Sequence, residues 1–92
     1  MLKHRYTQQG PFTRAHIVVF GPTPNEAVEE ARRSRTVFAN TLPVDFNCWP
    51  ASYAGFDPRV GQHTAEFIVG FGTDRPDAPD HIDRLVATFD PA

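Results

Sequence analysis

His16-Ile17-Val18-Val19-Phe20-Gly21-Pro22-Thr23-Pro24-Asn25-Glu26 is the stretch on which the fold turns. Ahead of Gly21 the side chains follow a period of two. Ala15, Ile17 and Val19 face one way, and Arg14, His16, Val18 and Phe20 the other, as in a strand. Beyond Gly21 the chemistry is that of a helix start: Thr23 caps, Pro24 fits the first helical position and Glu26 can close a capping box. A second unit has the same plan. Phe67-Ile68-Val69-Gly70-Phe71-Gly72 runs into a loop with Pro76, Asp77 and Pro79, then a helix around Leu85. Each unit leaves one strand face and one helix stripe unburied, so the two have reason to pack together.

Upstream, Leu2 to Thr7 also alternates, and Gln9-Gly10-Pro11 reads as a turn, which makes an opening hairpin or a frayed arm before it. Downstream, the first helix should reach about Phe38, with Ala27, Ala31, Ser34 and Phe38 as a narrow buried stripe. Its alanines imply close approach to the sheet. Val44 to Tyr53 forms a third strand, and Pro50 confines it to an edge because proline cannot donate to a ladder. If that strand stays regular, Val44, Phe46 and Cys48 share one face, and Asp45, Asn47, Trp49 and Tyr53 the other. Ala54 to Gln62 reads as a long turn and His63 to Thr73 as the fourth strand. Its glycines at 70 and 72 suggest a bulge or a close neighbour. The last helix, about Pro79 to Phe89, carries Ile82, Leu85, Val86 and Phe89 at ideal amphipathic spacing. The expected fold is α+β: a four-stranded antiparallel sheet with two helices on one face, in the order β-β-α-β-β-α. If the first strand is an arm, the rest is a truncated ferredoxin-like β-α-β-β-α.

Ninety-two residues suffice for one domain, 1–92, with one core. Eight Phe, two Tyr and one Trp supply much of its apolar area. The single cysteine, Cys48, excludes an internal disulfide and a thiolate metal cluster, so a reducing, cytoplasmic setting is expected. The basic start has no apolar stretch behind it, and no run reaches membrane-spanning length. A net charge of −2 argues against general affinity for nucleic acid. The charge is unevenly spread. Residues 1–25 hold Lys3, Arg5 and Arg14 without an acid, while residues 73–92 hold Asp74, Asp77, Asp80, Asp83 and Asp90 against Arg75 and Arg84. That polarity suits head-to-tail association or a charged partner.

No catalytic signature is present. His4 and His16 face each other across the hairpin in one register, whereas a shift of one residue pairs His16 with Arg5. Neither has metal-ligand spacing, and no metal or cofactor is expected. The acids at 74, 77, 80 and 83 lack the calcium-loop pattern and read as loop and helix-start residues, with a charged contact through Asp74 and Asp77 as the alternative. Arg32, Arg33 and Arg35 form the one basic cluster, neutralised by nearby glutamates. Cys48 reads as a small core residue. Trp49 and Tyr53 either pack under the following loop or stand on the uncovered sheet face, where such rings make binding hot spots.

The expected function is therefore a non-catalytic protein-binding or regulatory module, an inhibitor or adaptor, including the phage inhibitor type. It would dock its exposed sheet face or an edge on a protein partner through Trp49, Tyr53, His16, Arg14 and Asn47, with a homodimer as an extension. Two alternatives are carried forward. One is a small ferredoxin-like enzyme with a pocket between sheet and helices and His16, Asp45 or Tyr53 as proton carriers. The other is a nucleic-acid binder using the N-terminal and first-helix arginines.

Overall fold

The computed structural model describes residues 2–89. Along the chain run β1 (Leu2–Gln9), β2 (Phe12–Gly21), α1 (Pro24–Thr41), β3 (Asn47–Cys48), β4 (Ser52–Asp57), β5 (Gln62–Gly72) and α2 (Ala78–Phe89). All strand pairs are antiparallel, and the fold is α+β as the patterning requires. The sheet has five strand segments rather than four, because the expected third strand is split. From one edge the order is β1, β2, β5, and both β3 and β4 then pair with the far side of β5.

The opening segment is a strand, not an arm. Its register against β2 is unbroken from Leu2 opposite Val19 to Gln9 opposite Phe12. The hairpin closes through Gly10, whose φ of 56° lies in the left-handed region that only glycine enters without cost. At the other edge the sequence expectation needs correcting. Pairing starts at Asn47 rather than Val44, lapses around Pro50, and resumes at Ser52 with a register shift between Tyr53 and Gly55. The expected turn from Ala54 to Gln62 is therefore largely strand, and β4 continues to Asp57.

Helix α1 begins as its chemistry dictates: the Thr23 hydroxyl accepts from the Glu26 N–H at 3.1 Å. It buries Ala27, Ala31, Ser34 and Phe38, while α2 buries Ala78, Ile82 and Val86. The small residues matter at the β2–α1 junction. A Cβ at Gly21 would stand 2.7 Å from the Ala27 nitrogen, so only glycine lets the strand end touch the helix. Phe38 meets Phe67 edge-on at 5.2 Å and stacks on Phe89 at 5.6 Å. Both helices thus cover the same sheet face, the one carrying Ala15, Ile17, Val19, Phe67 and Val69. Among the described residues the opposite face carries no helix.

Candidate functional site

The uncovered face is built from alternate residues of each strand. It presents Lys3, Arg5 and Thr7 from β1, Arg14, His16, Val18 and Phe20 from β2, and Thr64, Glu66, Ile68, Gly70 and Gly72 from β5. Asn47 joins them opposite Gly70, and Trp49 follows with its N–H bonded to the Ile68 carbonyl at 2.8 Å.

Trp49 and Asp74 take the space over two glycines, Gly70 and Gly72, and a cleft remains beside them. Gly70 and Gly72 form its floor, Phe12 and Trp49 its walls, and Arg14, Asp45 and Asn47 its polar rim, around a space of about 250 Å³. A Cβ on Gly70 would lie 2.6 Å from the Trp49 ring, so the indole occupies room that only glycine leaves. The Arg14 guanidinium sits 5.5 Å from the indole centroid, within cation–π range. Trp49 remains 41% exposed and Phe12 59%, which is unusual freedom for large rings.

Next to this cleft lies a polar chain across three strands. Thr7 Oγ1 is 2.8 Å from His16 Nε2, and His16 Nδ1 is 2.7 Å from Glu66 Oε1. The Arg5 guanidinium stands 4.0 Å from the same carboxylate oxygen. Only 14% of the His16 side chain is exposed, so the imidazole is held on both nitrogens rather than free to rotate. Beyond it the face sinks into a wider groove of about 580 Å³. Its floor is Val18, Phe20 and Thr64, and Lys3, Arg5, Arg59, Asp57 and Glu66 line it. Lys3 lies over the Phe20 ring at 5.7 Å. Asp57 is held by Arg59 at 3.3 Å, and this pairing keeps its carboxyl below the usual carboxylate range.

The groove is thus cationic, with Lys3, Arg5 and Arg59 against Asp57 and Glu66, whereas the cleft sets Arg14 beside Asp45 and Asp74. The acids Asp77, Asp80 and Asp83 belong to the start and first turns of α2, on the covered side. Asp90 lies outside the described residues.

Of the residues singled out in sequence, Trp49, Arg14, His16 and Asn47 come together on the open face. Tyr53 does not join them. The break at Pro50 puts it opposite Ala65, on the helix side, where its hydroxyl bonds His63 at 2.8 Å. His4 and His16 are on opposite faces, because the register pairs Arg5 with His16 and His4 with Ile17. The arginine cluster divides. Arg33 pairs with Glu30 on α1, Arg32 is exposed, and Arg35 donates to the Cys48 and Trp49 carbonyls at 2.7 and 2.9 Å. Arg35 therefore clamps the broken edge strand. Asp77 bonds Arg75 and His81, and Arg75 also pairs with Asp45 and covers Phe46, so this network ties the β5–α2 loop down. Arg75 holds Asp77 down at about 2. Asp74 lies against Gly72 in the same loop. Cys48 faces the core, and burial pushes its thiol pKa up.

The sequence reading passes over Phe12, Thr7 and Glu66 as site residues and gives Lys3 and Arg5 only to the nucleic-acid alternative. Strand parity alone places Phe12 beside Arg14 and His16, while Lys3, Arg5 and Thr7 join them through the β1–β2 register. Arg59 had no such signal, since it stands in a turn. Among the described residues no three His, Cys, Asp or Glu side chains stand together as metal ligands would, and no helix is long and apolar enough to cross a membrane. No family model, curated protein or solved structure matches the chain.

Proposed function

We propose that the chain is a docking module that captures an acidic segment of a partner protein on its open sheet face. One observation carries this reading: the cleft between Phe12 and Trp49 and the groove lined by Lys3, Arg5 and Arg59 lie on the same open face, with His16 and Ile68 between them. The cleft suits one apolar side chain, and exposed aromatics beside arginine are what interface hot spots are made of. The groove suits carboxylates a few residues away. Complementary charge raises the encounter rate and selects the partner more than it adds affinity.

Protein is favoured over nucleic acid on specific grounds. The Arg14 guanidinium already stands over the Trp49 ring and takes part of the face on which a base would stack. Arg35 is spent on its own backbone, and Arg33 on Glu30. Selection of a random-peptide display library on the immobilised chain tests the proposal. Peptides pairing an apolar residue with nearby Asp or Glu should be enriched, and a Lys3→Glu, Arg5→Glu variant should lose them. Enrichment without acidic residues, or peptides retained by the charge-reversed variant, contradicts the reading.

A second reading, a small hydrolase, is favoured by the Thr7–His16–Glu66 chain alone. A hydroxyl, an imidazole and a carboxylate in that order are the parts of an activated nucleophile. Thr7 Oγ1 would attack an ester carbonyl while His16 takes its proton and passes it to the leaving alkoxide. Water would then hydrolyse the Thr7 ester. The expected pocket between sheet and helices gives it no help, since Phe38, Phe67 and Ile82 fill that space. Turnover of p-nitrophenyl acetate that vanishes in both Thr7→Val and His16→Gln would support this reading, and turnover unaffected by either would end it.

A further inference from the structure

The two edges of the sheet are treated differently. The β3–β4 edge is broken by Pro50, bulged between Tyr53 and Gly55, and covered in part by Arg35 on the Cys48 and Trp49 carbonyls. These are the devices by which sheets protect an edge from stray pairing. The β1 edge has no break, bulge or capped carbonyl, and α2 flanks it on the helix side through the side chains of His4 and Tyr6. Leu2–Gln9 contains no proline or glycine, and its register is unbroken. Among the described residues its backbone bonds only to β2. Even its charges are turned away from the edge. Lys3 lies over Phe20, and Arg5 reaches across β2 toward Glu66 on β5.

The hairpin decides which groups are free. Gln9 and Phe12 flank a two-residue turn, so they form a hydrogen-bonded pair, and bonding alternates from there. Gln9, Thr7, Arg5 and Lys3 bond to β2. Gln8, Tyr6, His4 and Leu2 direct their N–H and C=O groups outward.

We infer that β1 pairs with β1 of a second copy, antiparallel, about a two-fold axis at Tyr6. The register follows from charge. An axis at Arg5 sets Arg5 opposite itself, and one at His4 sets Lys3 opposite Arg5; like charges directly opposite are destabilising. An axis at Thr7 shortens the paired stretch. With the axis at Tyr6, His4 lies opposite Gln8, Arg5 opposite Thr7 and Lys3 opposite Gln9, and the open faces of both copies become continuous. The inference uses the edge rather than the face, so it stands or falls separately from the docking reading.

Cysteine pairing tests the register. In a Cys48→Ala background, Arg5→Cys and Thr7→Cys are prepared singly, mixed and oxidised. Opposite residues in a non-hydrogen-bonded pair have Cα atoms about 4.5 Å apart, within disulfide reach. The mixed disulfide should dominate over both self-disulfides; a statistical mixture overturns the register. Sedimentation of the native chain and of Gln8→Pro tests the edge itself. Proline at an outward N–H spares the hairpin and removes two symmetry-related bonds, so the dimer dissociation constant should rise about tenfold or more. A monomeric native chain at high micromolar concentration, or a dimer indifferent to Gln8→Pro, overturns the inference.

Discussion

The Trp49 indole lies in the space that a side chain at position 70 would fill, 2.6 Å from where the Gly70 Cβ would be. The pairing of a bare backbone with a large ring does two jobs. It anchors an edge strand that Pro50 has interrupted, and it sets an exposed aromatic wall beside Arg14.

Substituting Gly70→Ala should therefore displace the ring rather than merely crowd it. We expect a loss of roughly 1–3 kcal/mol of stability, the usual cost of overpacking, and a red shift of tryptophan emission. In a Trp49→Ala background the same substitution should cost much less. A denaturant double-mutant cycle reads this coupling directly.

Arg35 should behave as a structural residue despite its charge. Removing it leaves the Cys48 and Trp49 carbonyls without their donor. Arg35→Ala should cost roughly 1.5–3 kcal/mol, the range for bonds to a charged group, and Arg32→Ala close to nothing. Urea midpoints of the two variants separate the cases. Equal midpoints would mean that the clamp is idle.

Acid and alkali should both weaken the fold, through different residues. The Arg75 partner lowers Asp77 to about 2 from 3.8, and the Tyr6 hydroxyl lowers Asp83. A lowered folded-state value gives stability that is complete above pH 3.8 and is lost as pH falls through the folded value. Arg75→Ala should flatten that acid limb of the urea midpoint against pH. Tyr6 is shifted the other way, raised by burial first and then by its bond to Asp83. Its contribution is complete below its ordinary value of 10.0 and is lost as pH rises above it. Tyr6→Phe should remove this alkaline limb and leave Arg75's acid effect in place.

How legible the molecule was in its sequence differs from element to element. Period-two and amphipathic patterning placed β2, β5 and both helices to within a few residues, because burial of one face enforces those periods. The β3–β4 edge was misread because the alternation test assumes an unbroken strand. The one-residue slip around Pro50, between Cys48 opposite Val69 and Ser52 opposite Glu66, reverses the parity there and puts Tyr53 on the face opposite to the expected one. The site was half legible for a related reason. Trp49, Arg14 and His16 are visible as polar-face residues, but no local pattern tells that Glu66, fifty positions from His16, bonds its imidazole. Nor does any local pattern show that Arg35 reaches the next strand's carbonyls. Such contacts depend on which strands become neighbours.

The most direct test of the docking account is amide chemical-shift mapping of the chain titrated with a short peptide of alternating glutamate and leucine. The account predicts saturable shifts at Lys3, Arg5, Arg14, Trp49, Arg59 and Gly70 that weaken with added salt. Shifts confined to Arg32 and Arg33 on α1, or none at low salt, would contradict it.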